Sequence, residues 1–260
     1  MRPPRQVLAE FGLEGEPEPL AGGRGTAWRC GDLVLKPLDT SVEELAWQGR
    51  LLDSLVCDGF RVSRLRGLRD GWCGWDVVGG EHRERAWPEV VAVGERFHSA
   101  LTGMPRPEFI EARTNHWAVG DRVAWGELPA GEFGHVKHLP RLVAALRPMD
   151  ESRSQLVHGD LTGNVLFSEA LAPAVIDFSP YWRPSAFASA VVVGDALLWE
   201  GADESLLGAV GHVQDFPQLL LRALIFRAVV DELFRAGEPR RRDDDDCFLA
   251  PVELACTLAE

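Results

Sequence analysis

Lysine is almost absent from this sequence, although basic residues as a class are not. Lysine and arginine together number 27, and lysine occupies only positions 36 and 137. Asparagine is equally scarce, with residues only at 115 and 164. Where a chain avoids a residue type so strongly, each remaining copy calls for an explanation. Lys36 and Asn164 are therefore candidates for a functional role.

Clustered cysteine is missing as well, because no Cys-x-x-Cys pair or Cys/His cluster occurs. This pattern excludes a zinc ribbon and a disulfide framework as organising features. A chain of 260 residues can bury a core that needs neither. We expect free thiols in a reducing compartment at all five cysteines, which are Cys30, Cys57, Cys73, Cys247 and Cys256.

Long hydrophobic runs do not occur. The segment 1–5 leads into no apolar stretch, and no apolar run reaches the length that crosses a bilayer. We therefore expect a cytoplasmic protein with no membrane partner. The net charge of −13 argues against a nucleic-acid partner, because carboxylates repel phosphates. The same charge fits either the attraction of a cationic small molecule or solubility alone.

The most informative part of the chain is 156–178, where short apolar runs alternate with polar residues. Asp160 and Asn164 lie in the first polar interval, and Asp177 lies in the last apolar run. We expect these side chains at the mouths of adjacent strands, with apolar residues behind them, which is typical of a site. The pattern predicts three short strands, at 156–157, 165–167 and 175–178.

Two carboxylates and an amide suit phosphoryl transfer to a hydroxyl. That reaction needs one carboxylate to orient and deprotonate the acceptor, and oxygen ligands for the magnesium ions that bridge the phosphates. Asp160 fits the first role, and Asn164 and Asp177 fit the second. The alternative is structural, because Asp and Asn at strand ends also cap turns.

Segments 158–164 and 176–178, which are His-Gly-Asp-Leu-Thr-Gly-Asn and Ile-Asp-Phe, resemble two motifs of the aminoglycoside phosphotransferase and small-molecule kinase superfamily. The motifs are its catalytic loop and its metal-binding motif, and the superfamily is a branch of the protein-kinase-like fold. The resemblance implies ATP or GTP as phosphate donor, Mg²⁺ as cofactor and a small-molecule hydroxyl as acceptor. It also implies catalytic roles for Asp160 and His158.

The resemblance has two departures. Three residues separate Asp160 from Asn164 where the family usually has four, and we expect Gly163 to tighten the loop by taking a positive φ. Ser179 stands where protein kinases carry glycine, which is normal among small-molecule kinases. The amino-acid sequence of segment 158–184 is also similar to that of an actinobacterial branch of the superfamily.

The fold that the resemblance implies is α+β with two lobes. We expect a small antiparallel β lobe at 1–80 that binds nucleotide, and a larger, mainly helical lobe at 81–260 that carries the catalytic and acceptor-binding residues. A weak or inactive kinase-like regulator that binds nucleotide is the alternative, and the shortened loop favours it. A protein kinase is disfavoured because no Ala-Pro-Glu-like segment follows Asp177.

A glycine-rich stretch at 20–29 precedes the strand at 33–37, with a Gly-Asp turn between them. This order predicts a three-stranded antiparallel meander. Glycine-rich hairpins are also common without a nucleotide. The resemblance implies that the meander covers the nucleotide and that four residues approach its phosphates: Gly22, Gly23, Gly25 and Thr26.

Lys36 lies on the third strand, where kinases place the lysine that pairs with the α- and β-phosphates. A helix predicted over 41–55 would supply a glutamate that holds it. Glu44 is the preferred partner and Glu43 the alternative, because position 44 also completes a capping box. Gly79 ends a later strand, where a hinge backbone would bind the adenine edge, although an ordinary loop explains it too.

Beyond residue 85 the hydrophobic period predicts helices, at 86–101, 139–146, 186–199, 217–235 and 248–258. His98 is expected in the core. Segment 180–184 is expected to form a rigid corner. Asp195 is the only charge in an otherwise apolar helix and needs a buried partner. Four residues could line an acceptor pocket: Trp117, Asp121, Trp125 and Glu127. For the two tryptophans, a place in the core is the preferred interpretation.

Overall fold

Short strands dominate the first third of the chain and helices dominate the rest, as the hydrophobic pattern predicts. The structure is a computed structural model that describes residues 1–20, 25–235 and 246–260. Gly22 and Gly23 lie outside the described residues. The phosphate-binding role of those two glycines therefore stays a prediction.

The elements of the first third alternate between strands and two helices. They are α1 (Arg5–Glu10), β1 (Glu18–Pro19), β2 (Trp28–Cys30), β3 (Leu33–Pro37), α2 (Val42–Ser54), β4 (Arg61–Val62), β5 (Leu65–Arg69) and β6 (Trp72–Asp76).

The remaining elements are mainly helical, with four short strands in the middle. They are α3 (Trp87–Ala100), α4 (Phe109–Ala112), α5 (His116–Ala124), a 3₁₀ helix (Ala130–Phe133), α6 (Leu139–Ala144), β7 (Ser154–His158), β8 (Val165–Leu166), β9 (Ala174–Val175), β10 (Pro180–Pro184), α7 (Ala186–Trp199), a second 3₁₀ helix (Glu204–Val210), α8 (Phe216–Phe234) and α9 (Leu249–Ala259).

The chain divides into two compact units, and the division differs from the predicted single cut after residue 80. The first unit combines Met1–Arg83 with Gly163–Phe178, and the second combines Glu84–Thr162 with Ser179–Glu260. Segment 163–178 joins the first unit because its strand β9 pairs in parallel with β4. A pairing between residues 61–62 and 174–175 is too distant along the chain for a local pattern to predict.

The first unit is built on a five-stranded antiparallel sheet in the order β1-β2-β3-β6-β5. The predicted meander is therefore confirmed as its β1-β2-β3 part. Val7 and Leu8 of α1 pack on Leu33, Leu35 and Trp72 of the sheet. This cluster holds β3 in place and thereby positions Lys36, which alternates with these buried residues.

Two expectations about the strands near the site are wrong. Segment 180–184 forms strand β10, antiparallel to β7, instead of a corner. Its prolines are tolerated because they lie at the two ends of the strand, while Tyr181 and Arg183 between them are buried. In addition, β7 pairs with β10, whereas β8 and β9 pair with each other, so Asp160 does not follow a strand adjacent to theirs.

The second unit is organised around two buried helices, α7 and α8. Helix α7 is apolar on all sides, and α8 packs against α5, α6, α7 and α9. Burial on every side explains why α8 lacks a polar face and why its charged residues need partners inside the protein. In the described part of the chain, no helix is both long enough and apolar enough to cross a membrane.

Candidate active site

Lys36 and Asp177 form an ion pair in the first unit. Lys36 Nζ lies 2.8 Å from Asp177 Oδ2. The two side chains are 28% and 55% exposed, so both are accessible to a ligand. The structure thus brings together the residue that was predicted to anchor phosphate and one that was predicted to bind metal.

Asn164 and Asp177 are neighbours across the β8–β9 hairpin. The Ile176 N–H donates to the Asn164 carbonyl oxygen at 3.0 Å, next to the pairing of Val165 with Val175. Asp177 itself has a φ of +53°, a left-handed conformation that a non-glycine residue adopts at a cost and that often occurs at functional sites. Gly163 has a φ of +75°, which confirms the positive φ predicted for the shortened loop.

Glu44 faces the interior of the first unit and Glu43 faces solvent. The Glu44 N–H donates to Ser41 Oγ at 3.1 Å, so the predicted helix cap is confirmed. Glu44 Oε1 accepts a hydrogen bond from Gln48 Nε2 at 3.1 Å. Burial therefore favours Glu44 over Glu43, and its pairing with Lys36 stays a prediction.

The remaining nucleotide-site candidates lie in loops of the first unit. Gly25 has a φ of +66°, and Thr26 follows it just before β2. The Gly79 carbonyl accepts a hydrogen bond from Arg61 Nη2 at 2.6 Å, so Arg61 competes for the oxygen that was predicted to meet adenine. Gly80 is the second of the paired glycines that suit a hinge, and a Cβ at this position would lie 3.0 Å from the Phe167 carbonyl oxygen.

The loop that carries Asp160 is held by two buried histidines in the second unit. The His158 N–H donates to His98 Nε2 at 3.0 Å, and the Asp160 N–H donates to His158 Nδ1 at 3.2 Å. Burial, with a smaller effect from His158, lowers the pKa of His98 to about 3, so this ring stays neutral. His158 is fully buried, and its catalytic role stays a prediction.

Gly159 is required by a close approach of two chain segments. A Cβ at this position would lie 2.3 Å from Tyr181 Cδ2. The Gly159 N–H also donates to the Ser179 carbonyl oxygen at 3.0 Å. The loop at 158–164 therefore lies directly on the start of β10, and a larger residue at position 159 would displace it.

Arg227 of α8 contacts Asp160, and sequence reasoning missed this contact. Its Nε and Nη2 donate to the two carboxylate oxygens of Asp195 at 2.7 and 2.6 Å. Nη2 also donates to Asp160 Oδ1 at 2.8 Å. The buried partner that Asp195 was predicted to need is thus confirmed as Arg227. The available signal was an arginine inside an apolar helix, which does not identify its partner.

A concave region near Tyr181 contains two of the four residues considered for an acceptor pocket, Asp121 and Glu127, but neither Trp117 nor Trp125. Arg183 binds Asp121 through two hydrogen bonds of 2.9 and 2.6 Å and reaches Glu127 at 2.6 Å. Trp125 is buried, as was preferred for it. The open concave region is lined by four arginines, three carboxylates and four other residues: Arg106, Arg113, Arg122, Arg183, Glu111, Asp121, Glu127, Ile110, Ala118, Tyr181 and Trp182.

Three solved structures of similar fold are distant in sequence from this chain. A ternary complex of APH(2'')-IIa with streptomycin and ATP shares 13% identity, covers 96% of both chains and has a TM-score of 0.59. Spectinomycin phosphotransferase APH(9)-Ia with ADP and spectinomycin shares 14%, covers 96% of this chain and 97% of its own, and scores 0.58. A choline/ethanolamine kinase family protein from Mesorhizobium loti shares 17%, covers 98% and 92%, and scores 0.54.

These structures confirm the two-part α+β fold of the protein-kinase type, with a small antiparallel sheet and a larger helical part. No curated protein matches the sequence significantly, and the actinobacterial branch stays a prediction. The model of the phosphotransferase enzyme family, APH, matches residues 19–181, which is more than half of the chain. The match covers Lys36, Asp160 and Asp177, and the chain therefore belongs to the phosphotransferase enzyme family.

Proposed function

We propose that the protein transfers the γ-phosphate of ATP to a hydroxyl of a small molecule, with Mg²⁺ as cofactor. The Lys36–Asp177 ion pair carries this proposal. A phosphate held by Lys36 and a metal ion held by Asp177 would be neighbours, which is the arrangement that phosphoryl transfer needs. ATP is preferred to GTP because solved structures of similar fold contain ATP or ADP.

The residues around Asp177 suit a magnesium ion. Within residues 1–20, 25–235 and 246–260, no group of three or more His, Cys, Asp or Glu side chains forms a complete metal cage. Mg²⁺ does not require one, since it is commonly bound by one or two protein oxygens together with substrate phosphates and water. Asp177 and Asn164 would hold the ion, which neutralises phosphate charge when bound.

The other roles follow from burial and access. Asp160, whose side chain is 43% exposed, would orient the acceptor hydroxyl and take its proton late in the transfer. Glu44 would hold Lys36, and Gly25 and Thr26 would lie against the phosphates. His158 would keep Asp160 in place without touching the acceptor.

The acceptor is proposed to bind in the pocket beside Tyr181. Four arginines and three carboxylates line it, so its charge is nearly balanced, and Arg183 is already neutralised by Asp121 and Glu127. Such a lining favours a polar acceptor with several hydroxyls over one selected only by positive charge. Release of ADP in the presence of candidate alcohols would identify it.

Calorimetric binding of ATP and GTP tests the nucleotide site. We expect Mg²⁺-dependent binding of ATP that weakens at least about tenfold in Asp177→Asn, because the variant loses the ligand charge but tolerates the left-handed backbone. Asp215→Asn is the matched control, since Asp215 is exposed and has a φ of +55°. Absence of ATP and GTP binding in folded wild-type protein would refute the proposal.

Asp160→Asn separates an enzyme from a nucleotide-binding regulator. We expect this variant to bind ATP like the wild type and to lose transfer. The shortened loop was the feature that favoured a regulator, and the positive φ of Gly163 shows how that loop closes. Equal transfer rates in Asp160→Asn and the wild type would contradict the base role.

A further inference from the structure

Arg227 lies between two carboxylates of very different exposure. Asp195 is buried, whereas the side chain of Asp160 is 43% exposed. We propose that Arg227 is a positioning residue for phosphoryl transfer, which uses Asp195 as a support and fixes the orientation of the Asp160 carboxylate. This inference rests on the proposed function, because it takes Asp160 as the group that receives the acceptor.

The geometry of the guanidinium makes such positioning possible. Nε and one hydrogen of Nη2 form a fork on Asp195, and the second hydrogen of Nη2 is directed to Asp160 Oδ1. Because a guanidinium is planar, the fork on Asp195 sets the direction of the third hydrogen bond. The Asp160 carboxylate is thereby restrained at one oxygen.

Aromatic rings restrict the guanidinium further. The centre of the Arg227 guanidinium lies 4.9 Å from the ring centroid of Phe226, 5.5 Å from Trp117 and 5.8 Å from Trp199. Arg227 is itself buried on α8, a helix of 19 residues. The donor therefore belongs to a rigid element, and the accessible carboxylate belongs to a loop.

The charge on Arg227 is maintained inside the protein. Burial alone would lower the pKa of Arg227, but the Asp195 and Asp160 carboxylates outweigh burial and raise it. A single carboxylate would be sufficient to neutralise the charge of a buried arginine. The hydrogen bond to a second, accessible carboxylate therefore suggests a role beyond stability.

The test compares steady-state hydrolysis of ATP, with water as the acceptor, in the wild type and three variants. In Asp195→Leu/Arg227→Met both buried charges are removed together, which avoids leaving one of them without its counter-charge. Arg227→Lys keeps the charge but loses the fork. Arg222→Met is the matched control, because Arg222 is a buried arginine of α8 that bonds to the carbonyls of Gln218 and Arg147.

We expect the double variant to lose about 10²-fold in kcat, as is typical of small misplacements of a reacting group, with the KM and the Kd for ATP within about twofold of wild type. Arg227→Lys should lose less of the kcat than the double variant does. Arg222→Met should have the kcat of the wild type. Thermal melting and calorimetric ATP binding establish that each variant is folded.

Wild-type kcat in the folded double variant would overturn the inference. If that variant does not fold, Arg227→Lys decides, and an unchanged kcat there overturns it equally. A wild-type protein that neither binds nor hydrolyses ATP refutes the proposed function itself and the inference with it. These outcomes are distinguishable, because only the last one concerns the unmodified protein.

Discussion

Acidification should destabilise the protein through His98. This residue is buried, and its Nε2 accepts the backbone N–H of His158. Protonation would replace that acceptor with a donor and place a charge in the core. Burial accordingly lowers the pKa of His98 to about 3, from a reference value of 6.5 in the unfolded chain.

The sign and size of the effect follow from proton linkage. Between pH 6.5 and pH 3 the unfolded chain binds a proton at His98 and the folded protein does not, so stability falls as the pH falls. The slope is about 1.4 kcal/mol per pH unit, so His98 alone should lower the free energy of unfolding by about 2 kcal/mol between pH 7.5 and pH 5. The effect is absent above the unfolded pKa.

Urea denaturation at pH 7.5, 6 and 5 measures this loss. Other groups also titrate in this range, so the comparison is with His98→Gln, in which the amide oxygen can accept the same N–H but does not titrate. The wild type should lose about 2 kcal/mol more than the variant between pH 7.5 and pH 5. Parallel loss in the two proteins would refute the assignment of a neutral, buried His98.

Substitutions at three positions test the local structure around the site by thermal or urea denaturation. Gly159→Ala should destabilise by about 1–3 kcal/mol, because the new Cβ meets the Tyr181 ring, and a neutral effect would contradict that contact. Gly163→Ala should cost about 1 kcal/mol at a φ of +75°, and a stabilised variant would argue against the left-handed conformation. Ser41→Ala should cost about 1 kcal/mol by removing the cap on the Glu44 N–H, whereas Ser41→Asp should restore it.

Local patterns were sufficient for much of the fold. The glycine-rich stretch, the Gly-Asp turn and the apolar strand after it predicted the meander that holds Lys36. Helical periodicity predicted α2, α3, α7, α8 and α9 to within a few residues. Turn chemistry predicted the positive φ of Gly163. These features depend on neighbours a few positions apart, so their physical cause is present in any short window of the chain.

The type of each residue and the order of residues along the chain were sufficient to identify the main candidates for the site. Scarcity singled out Lys36 and Asn164, and the short motif around Asp177 indicated a metal ligand. Burial could be anticipated for Asp195, because a lone charge in an apolar helix must find a partner. The identity of that partner could not, since nothing near residue 195 refers to residue 227.

Only the tertiary structure joined residues that are far apart along the chain. It paired β4 with β9 and so moved Asn164 and Asp177 into the first unit. It also placed His98 against the backbone of His158, and Arg227 against Asp160, 67 residues away. Such contacts depend on how whole helices and strands pack. Until packing excludes water, water competes for each donor and acceptor, so these hydrogen bonds form only in the folded interior.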